Sequence, residues 1–221
     1  MSSGVLASTA PVTRLVLLRH GLTDWNEQGR FQGQLDVGLN DVGRQQARTA
    51  APHVGALGPD VILSSDLGRA TATAAAIGQV TGLPVLTDER LREINVGSWG
   101  GLTGREMEQR DPGFAAALRN GEDFRRSPEG ETSDEVGVRM RLALTDLAGR
   151  FEGGTLLVVS HGLAIRMACG YLLGWDFAHS WQLGPMANCG WSVLERRADL
   201  PWRLTAYNRV APDFASPETM R

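Results

Sequence analysis

Three side chains suited to chemistry sit at the ends of apolar runs. VLLRHG (16–21) carries Arg19 and His20, and LVVSHG (157–162) carries His161. Both have one layout: an apolar strand, a polar residue, a histidine, a glycine, then a helix-like segment. A lone histidine beside an apolar run is ordinarily a hydrogen-bonded core residue. Finding the arrangement twice argues for one shared site. SSDLGRATATA (64–74) adds Arg69 near the start of a helix, and LREINVGSWGG (91–101) adds Glu93.

Guanidinium groups at the mouth of a core are costly to desolvate unless an anion sits there. Two of them, with the free N–H groups of helix starts, form a cradle for a tetrahedral anion, and phosphate suits bidentate arginine best. Phosphate monoesters hydrolyse so slowly in water that an enzyme must supply a rate gain of up to ~10²¹-fold. A neutral imidazole can attack phosphorus and split that barrier in two. Free histidine titrates at about 6.5, and neighbouring arginines should press the value down, keeping one histidine nucleophilic. Spacing alone leaves open which of His20 and His161 attacks. Gly21 and Gly162 are expected to let backbone approach the anion closely. The leaving oxygen needs a proton, for which Glu93 is the candidate acid. The competing reading of Glu93 is a salt bridge to Arg90 or Arg92.

The elements that must position these groups are visible as alternating apolar runs and helical patterns. RLVLL (14–18), DVILSS (60–65) and TLLVVS (155–160) read as buried strands, and LPVLTDERL (83–91) supplies a further strand. Asn40 is a plausible N-cap for a helix placing Ala47, Ala51 and Val54 on one face, which Pro52 should kink or end early. A second, alanine-rich helix closes at Gly82. A long helix follows Thr132, with Val136, Met140, Leu144, Leu147 and Phe151 on one side. WSVLERR and WRLTAYN read as two antiparallel edge strands. The fold class expected is α/β: a three-layer α/β/α sandwich with a mostly parallel central sheet and a helical lid insertion. Ligands then sit beyond the carboxyl ends of the strands. The domain organisation expected is a flexible N-terminal extension (1–13), a single domain (14–210) with a lid at about 101–130 lying over the sheet, and a flexible tail (211–221).

The chain has 221 residues, 42% hydrophobic and 21% charged, with a formal net charge of -3. That offers no broad positive field, so no nucleic-acid partner is expected. No apolar run approaches the ~20 residues of a membrane span, and the start MSSGVLASTAPVT lacks the pattern of a signal peptide. Cys169 and Cys189 form no C-x-x-C pair, which points to a reduced, cytoplasmic setting. His53 and His179 lie in unrelated segments and form no H-x-x-x-H pair, so no metal and no other cofactor is expected. The missing G-K-[ST] excludes a P-loop enzyme. An exposed-looking edge at WSVLERR is compatible with a homodimer.

RHGLTDWN (19–26), SSDLGRATATA, LREINVGSWGG and SHG (160–162), in that order, resemble the histidine phosphatase superfamily, also called phosphoglycerate-mutase-like. The resemblance implies that His20 is the nucleophile that becomes phosphohistidine. It implies that Arg19, Arg69 and His161 bind the phosphoryl group, that Glu93 is acid and then base, and that Asn26, Gln32 and Gly162 belong to the phosphate pocket. Leu22-Thr23-Asp24 after the first glycine, Leu163-Ala164 after the second and the short stretch between Glu93 and His161 depart from the cofactor-dependent phosphoglycerate mutases. They favour the phosphatase branch, where the chain is similar to actinobacterial glucosyl-3-phosphoglycerate phosphatases. The partner implied is a small phosphorylated metabolite. A mutase, a non-catalytic phosphate binder and a phosphoprotein-directed phosphatase are the alternatives. The lid offers Arg105, Arg110, Arg119, Arg125 and Arg126, of which one or two could hold a substrate carboxylate.

Overall fold

The computed structural model describes residues 10–198 and 200–212. Its strands are β1 Val12–Arg19, β2 Val61–Ser64, β3 Val85–Thr87, β4 Thr155–Ser160, β5 Trp191–Arg197 and β6 Arg203–Arg209. The helices in the first half of the chain are α1 Asp24–Glu27, α2 Asp41–Gly55, α3 Gly68–Thr81, α4 Gly104–Arg110 and α5 Gly113–Arg119. α6 Ser133–Arg150, α7 Gly162–Leu172 and α8 Phe177–Ser180 follow. One sheet runs in the order β3-β2-β4-β1-β5-β6. It is parallel from β3 to β1 and antiparallel at β5 and β6.

Strand alternation assigns the two faces. Leu15, Leu17, Leu156 and Val158 join residues of α6 and α7 in one cluster; Val16, Leu18, Leu157 and Val159 join α2 and α3 in another. Every inward residue therefore meets a helix, which is why these strands read as unbroken apolar runs. Among the described residues no helix is long and apolar enough to cross a membrane.

The local signals act as read at three places. Asn40 caps α2 by accepting from the Gly43 N–H at 2.9 Å. Gly82 closes α3 at φ 75°. Thr132 and Glu135 form a capping box that starts α6.

Four expectations need correction. Pro52 does not stop α2, which runs on to Gly55. Pro52 and Arg48 are both exposed, so the Arg48 carbonyl that proline leaves unpaired can turn to water. The first strand begins at Val12, ahead of Arg14. β5 is not an edge: it lies between β1 and β6, with Trp191–Leu194 buried, so WSVLERR offers no free edge, and the sheet ends instead at β3 and β6. The 101–130 segment does not merely lie over the sheet. Met107 and Phe114 enter the main core with Trp99, and the rings of Trp99, Phe114 and Phe124 pack together at 5.2–6.2 Å. Of the termini expected to be flexible, residues 1–9 and 213–221 lie outside the described residues, while Ala211 is buried.

Candidate active site

β1 and β4 pair in parallel, with Arg19 opposite Ser160. The next residue of each strand is a histidine, so the topology alone brings His20 and His161 to one sheet edge. Their ring centroids lie 5.1 Å apart, with planes crossed at 61°. His20 Nδ1 is 2.7 Å from the Gly21 carbonyl oxygen. A carbonyl only accepts, so Nδ1 carries the proton and Nε2 keeps its lone pair. His161 is fully buried and backs His20. Its Nε2 is 2.9 Å from Ser65 Oγ, and its Nδ1 has no hydrogen-bond partner among the described residues. Burial, and then Arg19 and Arg69, hold the His20 pKa well below the ordinary histidine value. Burial, and then His20 and the same two arginines, do so for His161.

The guanidinium groups are anchored on backbone carbonyls rather than on acids. Arg69 donates from Nη1 to Leu35 and from Nη2 to Gly33, both at 2.7 Å, and Arg19 donates to Met186. The Nε atoms of both are buried and unpartnered among the described residues. Buried unpaired donors are uncommon and call for a ligand. Two such donors around two neutral imidazoles suit a tetrahedral oxyanion.

Glu93 accepts three backbone N–H bonds. Oε1 takes those of Ile94 and Ala164, each at 3.0 Å, and Oε2 takes that of Leu163 at 3.1 Å. The last two are orphan donors of the first turn of α7, so the helix that follows His161 holds the carboxylate in place. Neither proposed salt bridge forms. Arg90 pairs with Asp88 and Asp146, and Arg92 pairs with Asp66.

A cavity of about 260 Å³ opens over these groups, lined by Arg19, His20, Asn26, Gln32, Arg69 and Glu93 together with an apolar wall that includes Phe31, Phe114, Leu163 and Trp181. Asn26 also has a structural task, because its Oδ1 accepts the Thr23 N–H at 3.2 Å and closes the cap of α1. Gln32 Oε1 is buried without a partner among the described residues.

The two glycines also admit close approaches of the protein itself. A Cβ on Gly21 would lie 2.4 Å from the Gly43 carbonyl oxygen, so its bareness lets α2 dock on the histidine turn. A Cβ on Gly162 would lie 3.3 Å from Arg19 Nε, so it leaves room for a guanidinium. Of the five lid arginines only Arg126 reaches the cavity, and it is already held by Asp123 at 3.0 Å and Ser133 Oγ at 2.8 Å.

Several supporting residues escaped sequence reasoning. Arg30 lines the cavity. Asn188 donates to the His20 carbonyl at 3.1 Å. Thr73 accepts the Gly21 N–H at 3.1 Å, and Arg139 donates to the carbonyls of Arg90 and Arg92. Ser65 and Thr73 lay in a motif already singled out, one residue before Asp66 and four after Arg69. Asn188 and Arg139 carry no local signal at all.

The model of the histidine phosphatase superfamily (branch 1) matches residues 15–210. A glucosyl-3-phosphoglycerate phosphatase of Mycobacterium tuberculosis is 39% identical over 214 residues, covering 90% of this chain and 95% of the relative. A probable phosphoglycerate mutase of Enterobacter is 35% identical over 189 residues, covering 86% and 87%. A solved mycobacterial glucosyl-3-phosphoglycerate phosphatase in complex with VO3 aligns with TM-score 0.80 and 40% identity, over 88% of this chain and 98% of that one.

Proposed function

This chain belongs to the histidine phosphatase superfamily, and from that premise we propose that it hydrolyses small phosphomonoesters through a phosphohistidine on His20. The observation that carries the reading is the pair of crossed imidazoles 5.1 Å apart, with two guanidinium groups beside them that make no direct ion pair among the described residues.

His20 Nε2 attacks phosphorus. The P–N bond forms as the ester P–O bond breaks, and Glu93 passes a proton to the departing oxygen. Arg19, Arg69 and His161 donate to the phosphoryl oxygens as charge shifts among them, with Asn26 and Gln32 at the rim of the same pocket and Gly162 leaving Arg19 room to reach it. In the second half-reaction Glu93 takes a proton from water as the water oxygen attacks phosphorus. The P–N bond breaks, releasing inorganic phosphate and restoring neutral His20. The carbonyl of Gly21 keeps the proton on Nδ1 throughout, so the attacking nitrogen is never the wrong one.

A small phosphorylated metabolite fits a cavity of this size. Glucosyl-3-phosphoglycerate, the ester named for the mycobacterial relatives, is the first substrate to try. The free, buried thiols of Cys169 and Cys189 favour a reducing compartment, the cytoplasm. Brief incubation with a ³²P-labelled ester followed by a quench should trap acid-labile phosphate on wild type, on the peptide holding His20. His20→Ala should lose the label and at least about 10³-fold in kcat. Label on His161 instead would overturn the assignment, and isomerised ester without phosphate release would favour the mutase reading.

A further inference from the structure

The basic floor accounts for the phosphoryl end of a substrate and leaves the apolar wall of the cavity without a task. Trp181 stands in that wall, directly after α8, and packs with Leu163 against the cluster of Met167, Tyr171 and Phe177. Its position is fixed from several sides. The Arg166 guanidinium lies 3.9 Å from the ring centroid, Arg166 Nη2 donates to the Trp181 carbonyl oxygen, and the Phe177 ring sits 5.4 Å away at 31°.

Arg166 makes no ion pair among the described residues, and its Nε is buried there without a partner. A half-buried guanidinium without a carboxylate is costly. The contact it does make is with the indole, which it holds by a cation–π stack. The indole Nε1 donates to nothing among the described residues. An indole held in this way lines the cavity, with an N–H that makes no hydrogen bond among the described residues.

We propose that Trp181 is the leaving-group platform of this site, selecting phosphomonoesters that carry a glycosyl ring. One face of a hexopyranose is rich in C–H groups and suits an aromatic wall, while its rim of hydroxyls suits the free indole N–H. Arg166 acts through Trp181 as a positioning residue. The inference rests on the hydrolase reading and deepens it.

The test compares 3-phosphoglycerate with its glucosyl derivative, which share the phosphoryl end and differ by the ring. Trp181→Ala should raise KM for the glucosylated ester about tenfold with kcat little changed, and leave kcat/KM for 3-phosphoglycerate within about twofold. Trp181→Phe should restore most of the loss, and Arg166→Met, which keeps the indole but unlocks it, should raise the same KM about threefold. Thermal melting checks that each variant folds; if Trp181→Ala does not, Arg166→Met carries the comparison. Equal loss on both esters, no loss on either, or a wild-type KM that ignores the ring would overturn the platform. Each of these leaves phosphate release and the phosphohistidine intact, whereas failure of the hydrolase reading would remove both.

Discussion

The floor and the roof of the cavity are held by different forces. On the floor, Arg19, His20 and His161 continue β1 and β4, so a ladder of main-chain hydrogen bonds places them, and each reactive group is further tied to a backbone carbonyl, hydroxyl or amide. The roof consists of two seven-residue helices and the loop after them, outside the sheet ladder and placed chiefly by side-chain packing, with main-chain ties only where it begins and ends, from Phe31 to Leu102 and from Glu131 to Asn95. Trp99, Phe114 and Phe124 interlock there, and the buried Arg126 sits 5.2 Å over the Phe114 ring while binding Asp123 and Ser133. Geometry set by backbone pairing resists substitution of neighbours. Geometry set by packing moves when one ring is removed. Floor variants should therefore lose chemistry and keep stability, and roof variants should do the reverse.

The largest effect expected on the floor, short of replacing His20, comes from Glu93→Gln. It should slow alkyl esters by about 10²–10³-fold and activated aryl phosphates far less, because a good leaving group needs no proton. Parallel rates on both ester types, measured across a leaving-group series, would remove Glu93 from the role of acid.

The roof supplies the converse. Phe114→Ala should cost about 3–4 kcal/mol of stability in denaturant unfolding, with kcat on a small ester reduced by less than about tenfold. A Phe114→Ala protein of normal stability and lost activity would dissolve the distinction between the two regions.

This contrast also explains what could be read in advance. Arg19, His20 and His161 end apolar runs and Arg69 opens a helix, so RHG, SHG and SSDLGR announce their own positions, whereas Glu93 sits in coil beyond β3. The roof has no such period: Trp99, Phe114 and Phe124 come from irregular stretches and converge only in space. That is why 101–130 looked like a loose cover rather than core. Likewise nothing near WSVLERR signals that β1 will take it as a neighbour and bury it. At the glycines bareness was legible, whereas the docking of α2 on Gly21 and the packing of Arg19 on Gly162 were not.

The smallest effect concerns pH. The native pKa of each site histidine lies well below that of a free histidine. Above about pH 6.5 neither state binds the proton and stability is full. As pH falls below that, the unfolded chain takes up protons that the native one refuses, so stability falls by up to about 1.4 kcal/mol per unit for each histidine. Replacing His20 by Asn should halve that histidine contribution, read from unfolding midpoints between pH 7 and 5. An undiminished slope would mean that His20 is already charged in the folded site.

A single rod, α7, unites otherwise separate duties. Its first residue follows His161, its opening amides grip Glu93, Leu163 borders the cavity, Arg166 clamps Trp181, and Gly170 lets Ser180 nestle against it. An axial slide of that rod would drag the Glu93 carboxylate, the second imidazole and the indole along together. The aromatic knot of Trp99 and Phe114 leans on the same rod, sharing one core cluster with Ala164, Ile165 and Ala168, so both ends of the opening are geared to it.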